Sequence, residues 1–280
     1  MSFSPYNIRT DLALESANTV AHDEGLPDGI SVNTFNSGGF TVTEVTISKE
    51  EASKRIGKAM GRYLTLEPET ALELTPANAD ESARAISCEL NKLLHEPKSI
   101  LVVGLGNDSI TPDSLGPRVS EHIFATRHIH FNAPELAYDG LKSVSTIAAG
   151  VMGQTGIETQ ELLLPLIKSI SPEAVIVVDA LACSDVSHLG RTIQLTDTGI
   201  SPGSGVMNAR KELSNATLGI PCIAIGVPTV ADAGGDGKTL MVTPKNIDKL
   251  VSSAASLISG GINMSLHPSM TLEELRLLTS

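Results

Sequence analysis

The chain has 280 residues, of which 41% are apolar and 19% charged, a composition typical of a folded globular protein. Its net charge of −12 and its lack of tryptophan argue against nucleic acid or an anionic membrane as the main partner, because such binding needs clustered basic side chains or stacking aromatics. Three widely spaced cysteines, and a start without basic and apolar regions, indicate a cytoplasmic protein without disulfides or a signal peptide.

The first hundred residues predict small elements ahead of the main fold. Residues 30–35 and 40–47 alternate apolar and polar side chains around NSGG, which predicts a β-hairpin. Ser48 and Glu51 have the spacing of a capping box for a helix that ends at Gly57 or Gly61. Two further helices are expected, over about residues 12–22 and 78–95.

From residue 99 onward the pattern changes to buried strands alternating with helices. Largely apolar runs predict parallel strands over residues 99–106, 174–181 and 221–228, and shorter strand candidates are 144–149 and 192–195. Helical patterns lie between and after them, over residues 115–126, 158–170 and 243–266. This alternation predicts an α/β protein, a three-layer sandwich with a mostly parallel central sheet, and the hairpin as an N-terminal extension.

Two aspartates follow or end the apolar strands. Asp113 comes after the strand SILVVGLG and a short loop, and Asp179 lies near the end of AVIVVDAL. Both are therefore expected at the carboxyl edge of the sheet, where such folds bind ligands. Two neighbouring carboxylates would favour one ionised and one protonated group, the state that hydrolysis of an amide needs. The alternative is structural, with each aspartate capping a helix or holding a loop.

The glycines before Asp113 resemble an incomplete dinucleotide loop. Gly104-x-Gly106 follows a strand, but Ser109 stands where a third glycine is needed, and Thr111-Pro112 delays the helix. A non-enzymatic nucleotide-binding module therefore stays an alternative. The other interpretation is that the glycines only let the chain turn tightly.

Other reactive side chains are weaker candidates. His128 and His130 have the spacing of a metal pair on one strand face, but no third ligand is near in the sequence. Cys183 and Ser204 lack a recognisable acid–base partner, and Ser204 lacks the nucleophile elbow. No cofactor is expected, although a metal-dependent endopeptidase that uses the two aspartates and a histidine as ligands stays open.

Several long stretches together resemble the germination protease family of spore-forming bacteria. They include YNIRTDLALE, GLGNDSITPDSLGPRV, AAGVMGQTGIET, VVDALACS, IQLTDTGISPGSGVMNARKEL and LGIPCIAIGVPTVADA. The resemblance implies a fold similar to that of hydrogenase-maturation endopeptidases, of the phosphorylase/hydrolase-like class, and an atypical aspartic endopeptidase. Its essential aspartates correspond to Asp113 and Asp179.

The same resemblance implies a substrate, an assembly and a location. The expected substrates are the small acid-soluble spore proteins, degraded at germination, and the expected assembly is a homotetramer in the cytoplasm of the spore core. No direct contact with nucleic acid or membrane is expected. Gly-rich loops would let an extended substrate approach the backbone, at Gly104, Gly106, Gly203, Ser204 and Gly205.

The N-terminal motif IRTDLALE implies a zymogen that cleaves itself. In the family, cleavage follows an acidic residue that precedes an apolar residue and alanine, and Asp11-Leu12-Ala13 fits this pattern. The expected division is a propeptide over residues 1–11 and a single peptidase domain over 12–280. A capped helix start at Asp11 is compatible with this reading.

Overall fold

A computed structural model of the chain describes residues 10–68, 79–137, 141–202, 211–233 and 240–279. Within these ranges nine strands form one sheet: β1 Ile30–Ser37, β2 Phe40–Ile47, β3 Gly61–Pro68, β4 Ser99–Leu105, β5 Ser143–Gly150, β6 Ala174–Cys183, β7 Ile193–Thr196, β8 Cys222–Asp232 and β9 Met241–Val242. The described helices are α1 Ala13–Glu24, α2 Glu50–Ile56, α3 Ala79–Leu94, α4 Leu115–Glu121, α5 Arg127–Asn132, α6 Met152–Thr155, α7 Thr159–Ile170, α8 Asn215–Leu218, α9 Ile247–Leu266 and α10 Leu272–Thr279. Two 3₁₀ turns cover Thr111–Asp113 and Pro134–Leu136.

The sheet has a parallel part and an antiparallel part. Its strand order is β1-β2-β3-β7-β8-β6-β4-β5, with β9 paired to β8. Strands β5, β4, β6 and β8 run parallel, and the remaining pairs are antiparallel. The α/β class is confirmed, and the hairpin extends the main sheet because β2 pairs with β3 and β3 with β7.

Side chains alternate between two apolar cores on opposite faces of the parallel strands. In β6, Ile176 and Val178 belong to the core formed with α3, α4 and α9, whereas Val175 and Val177 pack on the side of α7 and α8. Both faces of the parallel strands are thus covered, which explains their continuous apolar sequences. A third cluster joins α1 and α2 to β2 and β3.

Most predicted elements are confirmed, with local differences. The capping box is wrong: Lys49 is the N-cap residue of α2, and the Ser48 hydroxyl donates to the Gly29 carbonyl (3.1 Å) instead. Helix α4 ends at Glu121 rather than near residue 126. Periodicity alone did not predict β3, whose short apolar alternation begins right after Gly61, or α10.

Candidate active site

Asp179 lies in the carboxyl half of β6, just past the last residue of β6 that pairs with β4. Val178 pairs with Gly104 of β4, so Asp179 is the next residue toward the sheet edge. Its side chain is 6% exposed, and its Oδ1 accepts the N–H of Ala180 (2.9 Å). Because Val177 faces α7, the alternation of the strand places Asp179 on that same face.

Asp113 reaches this edge from the loop after β4. It ends the 3₁₀ turn, which contacts both β6 and β8. The carboxylate is half-buried, and its Oδ2 accepts the N–H of Asn107 (2.9 Å), which closes the loop on itself. The structure therefore brings the two predicted aspartates to the same edge of the sheet.

Three glycines hold the Asp113 turn against the strands. A Cβ on Gly106, which has a φ of +116°, would lie 1.9 Å from the carbonyl oxygen of Asp113. A Cβ on Gly104 would lie 2.1 Å from the Gly116 oxygen, and one on Gly116 would lie 2.5 Å from the Val178 oxygen. The space where side chains of residues 104 and 106 would lie is thus occupied by the protein's own backbone. The lack of a side chain at Gly104 and Gly106 lets the chain turn tightly against the strands.

The start of the described chain runs along the end of β6. The N–H of Asp11 donates to the Ala182 carbonyl (2.9 Å), and the N–H of Ala182 donates back to Oδ2 of Asp11 (2.8 Å). Leu12 follows with no exposed surface. It packs on Leu181, Cys183 and Ala231. The expected cleavage bond, Asp11–Leu12, is therefore held beside the strand that carries Asp179.

Gln194 of β7 holds both sides of this bond. Its Nε2 donates to the Asp11 carbonyl oxygen (3.1 Å), and its Oε1 accepts the N–H of Ala13 (2.8 Å). Gln194 and Asp179 both pair with Gly226 of β8, so the three residues form one row across the sheet. The Gln194 and Asp179 side chains thus share a face, roughly 10 Å apart at the backbone, with only a glycine between them.

A cavity of about 250 Å³ lies next to the Asp11 contacts. Its charged and polar walls include Asp11, Lys58, Tyr63, Gln194 and Glu212. Lys58 is half-buried and donates from Nζ to the Thr10 carbonyl (2.9 Å). Burial lowers the pKa of Lys58, and the negative charges of Asp11 and Glu15 oppose this shift. The lysine Nζ therefore holds the backbone just before Asp11 and lines the same cavity as Asp11.

Glu15 anchors the first turn of α1 beyond the bond. Its carboxylate accepts the N–H (2.7 Å) and hydroxyl (2.6 Å) of Ser184, the N–H of Asp185 (3.0 Å) and Nδ1 of His188 (2.6 Å). Burial would raise the pKa of Glu15, but hydrogen bonds, with that of His188 the largest, lower it to about 2. The hydrogen bond to Glu15 likewise raises the pKa of His188, against burial. The C-terminal flank of Asp11–Leu12 is thus tied to the loop after β6, whereas Asp11 itself is held on Ala182 of β6.

Cys183 is unsuited to act as a nucleophile. Burial, together with the charges of Glu15 and Asp185, raises the pKa of its thiol to about 12, so the thiolate is scarce at neutral pH. Its side chain contributes to the apolar contact with Leu12 instead.

The histidine pair does not lie on a strand. His128 and His130 belong to α5, where a spacing of two residues points side chains to different sides of the helix. Across the described ranges no three His, Cys, Asp or Glu side chains are grouped as a metal site would require. The same ranges contain no helix long and apolar enough to cross a membrane.

Of the predicted substrate-loop residues, Gly203, Ser204 and Gly205 lie outside the described residues. The sequence patterns did not predict a role for Gln194 or Lys58. A glutamine within the apolar strand TIQL was the one available signal for Gln194, whereas nothing near Lys58 distinguishes it from a surface lysine.

Fold and site together define an α/β protein with two carboxylates at the carboxyl edge of its parallel strands and a segment of its own chain bound beside them. The sequence model of the germination protease family matches residues 9–235. The germination protease of Clostridium perfringens is 36% identical over 96% of this chain and 98% of its own length. That of Priestia megaterium is 40% identical over the whole of this chain and 77% of its own.

The chain therefore belongs to the germination protease family, and it is accordingly an endopeptidase. Among solved structures, the [NiFe] hydrogenase maturation protease HycI of Thermococcus kodakarensis is 20% identical, with a TM-score of 0.37 over 61% of this chain and 96% of its own. Membership of a protease family favours peptide hydrolysis over the nucleotide-binding alternative.

Proposed function

We propose that this endopeptidase starts the degradation of small acid-soluble spore proteins at germination, and that it is made as a zymogen which cleaves its own Asp11–Leu12 bond. One observation carries the proposal. The segment with the acidic, apolar and alanine residues is bound on both sides of the bond by Gln194, which lies in one row of the sheet with Asp179. The substrate class, a homotetrameric assembly and a location in the spore core follow the family resemblance.

Asp113 and Asp179 would act as a general acid–base pair in this reaction. The ionised carboxylate takes a proton from water, whose oxygen attacks the carbonyl carbon of the residue before the bond. The protonated carboxylate gives its proton to the leaving nitrogen as the C–N bond breaks. The products are one carboxylic acid and one amine, which exchange a proton in water to become a carboxylate and an ammonium group, and the two aspartates have exchanged protonation states. No cofactor enters the step.

Replacing either aspartate with asparagine is expected to abolish both activities. Asp113→Asn and Asp179→Asn keep the side-chain shape but remove the acid–base function, so the loss in rate should be on the order of 10³-fold or more. Mass spectrometry of the chain reports the loss of residues 1–11, and gel analysis reports cleavage of a purified small acid-soluble spore protein.

Asp108→Asn is the matched control, since Asp108 is an exposed residue of the same loop. It should cleave at the wild-type rate. An Asp113→Asn or Asp179→Asn chain that retains either activity would contradict the assignment. Activity lost to a chelator and restored by a divalent ion would instead support the metal-dependent alternative.

A further inference from the structure

Gln194 makes a two-point contact that spans the proposed cleavage bond. A backbone carbonyl and a backbone N–H two residues later are both satisfied by one side-chain amide, at 3.1 and 2.8 Å. Gln194 is 6% exposed and belongs to a strand paired on both sides, so the amide has little freedom to reorient. This arrangement fixes the carbonyl of Asp11 relative to the sheet row that contains Asp179.

Lys58 makes a further contact, on the N-terminal side of the proposed cleavage bond. Its Nζ donates to the Thr10 carbonyl at 2.9 Å, and Lys58 lines the same cavity as Asp11. The Asp11 carboxylate itself accepts the Ala182 N–H at 2.8 Å. Asparagine in place of Asp11 would keep an acceptor oxygen but lose the charge, so the lysine can distinguish acid from amide at this position.

We infer that Gln194 and Lys58 are substrate-binding residues of self-cleavage: Gln194 holds the scissile carbonyl and the backbone N–H of the second residue after the bond, and Lys58 selects an acidic residue before the bond. This inference rests on the proposed cleavage at Asp11–Leu12. As water adds to the Asp11 carbonyl carbon, negative charge develops on the oxygen that already accepts from Gln194 Nε2. A donor already aimed at this oxygen stabilises that charge without reorganisation.

The first test varies Gln194 in the full chain, made by cell-free synthesis so that processing can be followed from its start. Gln194→Met keeps the volume but removes both polar contacts, and self-cleavage should slow roughly 100-fold. Gln160→Ala, a half-buried glutamine of α7, is the control and should process at the wild-type rate. Wild-type processing by Gln194→Met would overturn the inference.

Gln194→Glu separates substrate binding from a merely structural role. Its carboxylate keeps an acceptor for the Ala13 N–H but can donate to the Asp11 carbonyl only when protonated. Its deficit relative to the wild type at the same pH should therefore shrink as the pH falls toward about 4. The other ionisable groups that line the cavity, Asp11, Lys58, Tyr63 and Glu212, are the same in both chains. A pH-independent deficit would contradict a donor role.

The second test asks whether Lys58 acts on self-cleavage through the charge of Asp11. Asp11→Asn and Lys58→Met should each slow self-cleavage roughly tenfold, since each breaks a contact to a charged group. The double variant should be slowed by clearly less than the product of the two single effects, because both substitutions remove the attraction between Lys58 and the Asp11 charge. Fully additive effects would overturn the role given to Lys58.

Failure of this inference can be told apart from failure of the proposed function. In the Asp179→Asn chain, hydrogen exchange at the Ala13 amide reports the Gln194 contact without any catalysis, and Gln194→Met should speed it at least about tenfold. If no chain cleaves itself but this amide is protected by Gln194, the proposed function fails while the contact stands. If Gln194→Met and Lys58→Met both process normally, the inference fails and the proposed function stands.

Discussion

Glu15 shows how a single carboxylate can secure the chain segment just after the expected cleavage bond. It lies inside the protein yet is ionised, because three N–H or O–H groups of Ser184 and Asp185 and the ring of His188 all point at it. An ionised group buried without such partners would be strongly unfavourable. Glu15 thus holds α1, and with it Leu12, against the loop after β6.

The stability of this contact should depend on pH in both directions. The lowered pKa of Glu15, about 2, means that its contribution is complete above its usual value near 4.5 and disappears as the pH falls from there through 2. The raised pKa of His188 means that its contribution is complete below about 6.5 and disappears as the pH rises through the higher folded-state value. Both describe one interaction, on the order of 2–3 kcal/mol, which is strongest between about pH 4.5 and 6.5.

Urea unfolding of the Asp179→Asn chain over this pH range checks the expectation. Adding Glu15→Gln should lower the free energy of unfolding most between about pH 4.5 and 6.5 and flatten its pH dependence. Glu50→Gln, an exposed acid on α2, is the control and should change little. A Glu15→Gln effect that is the same at every pH would contradict the ion-pair interpretation.

At the scale of elements, the position of Asp113 depends on how closely α4 approaches the strands. Gly116 in the first turn of α4 leaves no space for a methyl group: its Cβ would lie 2.2 Å from the Leu105 oxygen and 2.5 Å from the Val178 oxygen. The helix therefore lies directly on the backbone of β4 and β6. Since Asp113 ends the 3₁₀ turn directly before this helix, the same close approach sets where its carboxylate lies.

Gly116→Ala should therefore disturb both stability and activity. Pushing α4 away from backbone atoms should cost about 1–3 kcal/mol or more and shift Asp113 relative to Asp179. Gly153→Ala on α6 is a matched control, because nothing lies within 4 Å of the added methyl group. Thermal unfolding and the rate of self-cleavage measure the two effects. Equal results for the two variants would show that the close approach of α4 is unimportant.

At the scale of the molecule, the N-terminal elements are continuous with the main fold. The hydrogen-bonded ladder runs without a break from the hairpin to β5, and one apolar core contains Phe40 and Val42 of the hairpin as well as Val144 of β5. Neither part can lose its structure without exposing the apolar surface of the other. In the described part of the chain, the hairpin and the parallel strands therefore share one sheet and one core.

The chain should consequently unfold in one cooperative transition. In the Asp179→Asn chain, the urea midpoints from far-UV circular dichroism and from tyrosine fluorescence, to which buried Tyr63 of β3 contributes, should coincide. Gly39→Ala strains the hairpin turn, where φ is +79°, and should shift both midpoints together. A separate early transition of one probe would show that the hairpin is an independent unit.

Much of this organisation could be predicted from local patterns. The apolar runs ending at Leu105 and near Asp179 required parallel strands, and parallel strands bring their carboxyl ends to one edge. The positions of Asp113 and Asp179 at that edge followed from this rule alone. The hairpin followed from alternation around two glycines, because residues in a strand face opposite sides in turn.

The residues that meet at the cleavage segment come from distant parts of the chain, and no local pattern predicts their contacts. Gln194 lies 183 residues from Asp11, and the two come together because β7 joins the sheet antiparallel to β8, a pairing that no local pattern specifies. Lys58 and His188 reach the segment by the same kind of long-range packing. Local apolar patterns were enough to predict where the parallel strands end and that aspartates lie at those ends, since periodicity is a local property. The tertiary structure decided what binds the chain beside them, since contacts between distant segments depend on the packing of the whole sheet.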